Sequence, residues 1–165
     1  MITFQLDQWL NSKRFARDCA AEALCQTLRL PPTLVDVKDP DLLRTLMAGV
    51  NPLVTFDRAL PREHTSSIPR HHPGIIALSN FPAPQTMTIR IAQQVLKRFK
   101  TAFPDWHEVS WTNSVAEITT ISVELWHVDQ AQLVRDAYLA FDSVDWQTKL
   151  RELLQQNSQR DSARI

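Results

Sequence analysis

Short blocks of consecutive apolar residues alternate along the chain with stretches whose apolar positions recur every three or four residues. "ITFQL" at the start predicts a β-strand ending at Asp7. A helix is expected from about Ser12 to Leu30, with Phe15, Ala16, Ala20, Ala23, Leu24 and Leu28 on one face and Pro31 and Pro32 as its stop. "LVDV" (34–37) predicts a second strand, and "DPDLLRTLMAGVNP" a helix capped by Asp39, begun by Pro40 and closed near Gly49. "PLVTF" and "GIIALSN" supply a third and a fourth strand.

Ile89, Ala92, Val95, Leu96, Phe99 and Phe103 mark a helix from about Gln85 to Ala102, with Lys97, Arg98 and Lys100 on or near its exposed side. "HEVSWTN" and "EITTISVELWHV" read as two β-rich runs joined near Ser114, so part of the C-terminal sheet is expected to be antiparallel. Two helical stripes follow, Leu133, Val134, Ala137, Tyr138, Phe141 and then Trp146, Leu150, Leu153, Leu154, before a frayed tail, "QQNSQRDSARI". Continuous apolar strands alternating with amphipathic helices predict an α/β fold with a mostly parallel sheet covered on both faces.

At 165 residues and 44% hydrophobic, the chain suits one domain with one sizeable core. Eighteen basic residues balance eighteen acidic ones, so no global field steers the protein to a polyanion and any such contact must be local. The start carries an acid in place of a signal peptide's basic region, and no apolar run reaches membrane-spanning length, so a cytoplasmic protein is expected. Cys19 and Cys25, six apart in one predicted helix, are too far apart along it to bridge and read as buried thiols.

The candidate chemistry lies where strands end. Asp7, Asp39 and Asp57 each follow a predicted strand, and strand C-termini of an open α/β sheet converge on one crevice. Three converging carboxylates repel one another unless a cation neutralises them, and hard oxygen ligands without His or Cys favour magnesium or manganese. Each acid also has an ordinary explanation: a strand end for Asp7, a helix cap for Asp39, a turn for Asp57. Asp36 and Asp41 lie close enough to compete for the inward positions.

"FQLDQWL", then "DPDLLRTLMAGVNPLVTFDRAL" running into "HHPGIIAL", resembles the compact PIN-like nuclease family over roughly residues 2–80. The resemblance implies a three-layer α/β/α domain over 1–165, with a core to about residue 128 and a C-terminal helical extension over about 129–158. It also implies a metal-dependent endoribonuclease in which Asp7, Asp39 and Asp57 hold Mg2+ or Mn2+ and Thr55 orients a carboxylate or water. RNA is the implied substrate, and many relatives are toxins held by an antitoxin protein or form homodimers. Arg58, Arg62 and Arg70, with His64, His71 and His72, would contact phosphate after Asp57. Phe81, Trp106 and Trp111 are candidates for stacking on bases, against the commoner role of core aromatics.

Two departures qualify the likeness. Ala59 stands where relatives carry a further acid, and Gln8 and Trp9 replace the Glu and Asn that follow the first Asp. A catalytically degenerate binding or regulatory module is therefore the alternative. A receiver-like phosphoacceptor role for Asp57 lacks both the paired acids after the first strand and the Lys after the fifth.

Overall fold

The computed structural model describes residues 2–83 and 86–160. Among the described residues seven strands form one sheet in the order β2-β1-β3-β4-β5-β6-β7. They are β1 (Thr3–Leu6), β2 (Gln26–Leu28), β3 (Leu53–Thr55), β4 (Ile75–Leu78), β5 (Val115–Ile118), β6 (Ser122–Asp129) and β7 (Gln132–Ala140). β1 to β5 run parallel to one another, and β5, β6 and β7 form an antiparallel meander.

The helices are α1 (Lys13–Ala21), α2 (Asp39–Met47), α3 (Ala59–Glu63), α4 (Ile89–Ala102) and α5 (Trp146–Ser158). The core divides by strand alternation. Phe4, Leu6, Val54, Ile76, Leu78, Ala116 and Ile118 pack with α1, α4 and α5, whereas Leu53, Ile75 and Val115 pack with α2 and Leu60 of α3. The expected α/β architecture, with helices on both faces of a mostly parallel sheet, is what forms. Among the described residues no helix is long and apolar enough to cross a membrane.

Several expected elements are corrected. The first helix ends at Ala21 rather than near Leu30, because Ala23 takes a left-handed conformation (φ 51°) and the Leu24 N–H closes onto the Cys19 carbonyl at 2.8 Å. That turn is usually made by glycine, so an alanine gives the sequence no stop signal. The chain doubles back into β2, and the Cys19 and Cys25 thiols meet as hydrogen-bond partners in the core rather than standing apart along a helix. Their contact and burial push the Cys25 thiol well up.

The predicted strand at 34–37 is the end of a 3-10 helix, Pro32–Leu34, followed by a turn. Asp39 is thus the first residue of α2, with Lys38 at the N-cap position and no side-chain capping bond, and follows no strand directly. The strand expected at "HEVSWTN" is a turn region, and "EITTISVELWHV" folds back on itself as β5 and β6. The helix expected from Gln85 begins at Ile89 within the described chain; Gln85 lies outside the described residues.

The first of the two C-terminal helical stripes is strand β7. A bulge opposite Leu125 and Trp126 skips Asp136, so apolar residues on a strand acquire a helix-like spacing. Gln130 and Ala131, both with positive φ, turn β6 into β7 in the conformation usually signalled by Asn-Gly. Only α5 is helical in the expected C-terminal extension, and it runs through Ser158 into the stretch expected to fray. Residues 161–165 lie outside the described part.

Candidate active site at the sheet switch point

The chain leaves β1 to one side through α1 into β2, then returns through α2 to β3 on the other side of β1. Beyond the C-terminal ends of β1 and β3 the crossovers diverge, which opens the ligand crevice of such sheets. Asp7 directly follows β1, and Asp57 lies just beyond β3.

One threonine ties the two acids together. The Thr55 hydroxyl donates to Asp7 Oδ2 and accepts the Asp57 N–H at 3.0 Å. The Leu10 N–H donates to Asp7 Oδ1 at 2.9 Å. Asp7 is 3% exposed, and burial pushes its pKa up to about 6; the Thr55 and Leu10 hydrogen bonds oppose that rise and the nearby Asp57 charge adds to it. Asp57 is half-buried, and its Oδ1 accepts the Ala59 N–H at 3.0 Å. Its turn-forming role is therefore real, and it coexists with the approach to Asp7.

Asp39 behaves differently. Gln8, next to Asp7, donates through Nε2 to the carbonyls of Val35 and Val37 and so ties the loop before α2 to the end of β1. Even so, among the described residues no three His, Cys, Asp or Glu side chains are gathered to hold a metal ion. Asp7 and Asp57 are brought together; Asp39 does not join them in one ligand set.

Arg58 directly follows Asp57 in the chain, and Arg58 and Arg62 both reach Glu117 on β5, the first through Nε to Oε1 at 3.5 Å and the second through Nη2 to Oε2 at 2.8 Å. Sequence reasoning missed Glu117. Its register places it in one cross-strand row, Thr55, Ala77, Glu117, Glu124, on the face that carries Asp7. Directly opposed residues share a face, so this row is a polar ledge beyond the end of α2's cover.

Arg70, with His71 and His72, belongs elsewhere. These residues immediately precede β4, whose first residue pairs with Leu53 at the start of β3. They stand at the N-terminal edge of the sheet, a strand's length from Asp57. The expectation that Arg70 contacts substrate beside the acids is corrected on that ground. Trp106 and Trp111 are fully buried, the Trp111 indole donating to the Trp106 carbonyl at 2.8 Å, so neither is a base-stacking surface. Phe81 is 54% exposed, with the Arg58 guanidinium 4.6 Å from its ring centroid. Trp9, 63% exposed, lies 6.2 Å from the Phe56 ring beside Asp7 and Asp57.

No family model, curated protein or solved structure matches this chain. The chemistry of the crevice must therefore carry the functional reading. Two adjacent carboxylates and a threonine hydroxyl are a hard-oxygen set, and magnesium is commonly held by one or two carboxylates and completed by water and substrate phosphate. By donor chemistry, Asp7 and Asp57 fit Mg2+ or Mn2+.

Proposed function

We propose that the protein is a PIN-like, metal-dependent hydrolase of RNA phosphodiester bonds, with Asp7 and Asp57 as its metal-holding pair. The observation that carries the reading is the placement of these two carboxylates, joined through Thr55, at the sheet's switch point. Asp7 and Asp57 would hold a Mg2+ or Mn2+ ion, which would supply Lewis acidity there and offset the charge that develops at phosphorus.

The chain's own groups do the rest. Thr55 and the Leu10 amide fix the Asp7 carboxylate, so its orientation is set before substrate arrives. The Ala59 amide does the same for Asp57. Arg58 and Arg62 supply local positive charge for the phosphate backbone in a chain of zero net charge.

A second reading, a binding module without turnover, is favoured by Ala59, whose methyl replaces an acid expected from the resemblance, and by the separation of Asp39 from the pair. Incubating a mixed-sequence RNA pool with the purified protein in Mg2+ or Mn2+ separates the two. Cleavage abolished by EDTA and by Asp57→Asn supports the hydrolase; metal-independent RNA binding without cleavage supports the module. The toxin of a toxin-antitoxin pair is a narrower form of the hydrolase reading, tested by growth arrest on expression.

A further inference from the structure

Glu117 has an unusual position for a carboxylate. It is 5% exposed on an interior strand, and each of its two oxygens is met by an arginine from the segment that follows Asp57. Each guanidinium also rests against a ring: Arg58 over Phe81 and Arg62 over Trp126, the latter at 5.0 Å from the centroid. Charge and stacking together define where each planar fork lies.

The charges do not cancel. Two guanidinium groups face one carboxylate, so this trio by itself carries one net positive charge, and the arginines stay 40% and 42% exposed in their side chains. The Arg58 contact is made through Nε, at 3.5 Å. Between Thr55 and Glu117 in the row stands only Ala77, whose methyl fills little of the ledge.

We propose that Glu117 is a positioning residue that holds Arg58 and Arg62 as a rigid phosphate clamp in the cross-strand row of Thr55, the residue that joins Asp7 to Asp57. The inference rests on the hydrolase reading only in naming an RNA strand as the owner of the phosphate. An arginine already ordered by a buried partner loses less freedom on meeting its ligand, so the clamp binds more tightly than two free arginines would.

A simple counter-ion role predicts the opposite sign. If Glu117 merely neutralised the arginines, Glu117→Gln would unmask positive charge and tighten RNA binding. The clamp predicts weaker binding. The test measures anisotropy of a short, unstructured, fluorescent RNA with the full chain in EDTA, across a salt series, for wild type, Glu117→Gln and Arg62→Lys. Glu117→Gln is expected to weaken binding about five- to tenfold and to flatten the salt slope by about one phosphate contact. Arg62→Lys keeps the charge but loses the fork and is expected to weaken binding about fivefold.

Equal or tighter binding by a folded Glu117→Gln overturns the proposal. Should that variant fail to fold, Arg62→Lys decides: weakened binding upholds the clamp and unchanged binding overturns it. Cleavage of the same RNA in Mn2+ keeps the two readings apart. No cleavage with Glu117-dependent binding leaves the clamp and removes the hydrolase, whereas cleavage with an unchanged KM in Glu117→Gln removes the clamp and leaves the hydrolase.

Discussion

The two faces of the sheet are built from alternate residues of the same strands, yet they end differently. On the face under α1, α4 and α5, aromatic rings continue the core to its rim: Phe99 lies within 6.4 Å, centroid to centroid, of Phe103, Trp106, Trp111 and Phe141. The other face has the nine-residue α2 and the five-residue α3, and at the strand ends its apolar residues give way to Asp7, Thr55 and Glu117. There, arginine side chains and a hydroxyl replace a helix as cover. Burial thus serves packing on one face and fixes charged groups on the other.

The comparison is tested most severely by emptying the aromatic face. Phe99→Ala should cost about 3–5 kcal/mol in chemical denaturation, since it removes a ring with four aromatic neighbours. Asp57→Asn should act on function instead. Under the proposed hydrolase it lowers the cleavage rate about a hundredfold or more, while thermal unfolding in EDTA shifts little.

The polar face should also betray itself through pH. Asp7 has a folded-state pKa of about 6, above its unfolded value, so the folded state binds the extra proton between about pH 4 and 6. The stabilisation from that proton is full below the unfolded pKa and is lost as pH rises through about 6. In EDTA, Asp7→Asn should remove this fall and leave the variant about 2 kcal/mol more stable than wild type at pH 7. A wild-type and variant pair with parallel stability profiles would show that Asp7 is not strained by its surroundings.

The smallest effect is expected at the surface pair Arg151 and Asp105, where the guanidinium holds the Asp105 carboxyl below its usual range and also lies over Phe103. Arg151→Ala should cost less than about 1 kcal/mol in thermal unfolding, because both partners are substantially exposed.

Legibility in the sequence follows the same division. β1, α2, β3, β4 and α4 were readable because their apolar periods are undisturbed and their ends carry Asp, Pro or Gly. β2 was hidden by Ala23 in a conformation that glycine usually announces, and β7 by the bulge at Asp136. Asp7, Thr55 and Asp57 were readable as a strand-end group, since each lies at or beside a strand's last residue.

Glu117 was not readable, because a polar residue alternating with apolar ones looks solvent-facing until the arginines that cover it are known. Arg70 misled for a related reason. Its nearness to Asp57 in the chain says nothing of the loop's return to the opposite end of the sheet, which parallel pairing of β3 and β4 requires.

Manganese binding followed by electron paramagnetic resonance, in wild type and in Asp7→Asn, Asp57→Asn and Asp39→Asn, tests the assigned pair most directly. One ion per chain is expected, lost in the first two variants and retained in the third. No bound ion in the folded wild type, or a loss in Asp39→Asn equal to that in Asp57→Asn, would contradict this assignment.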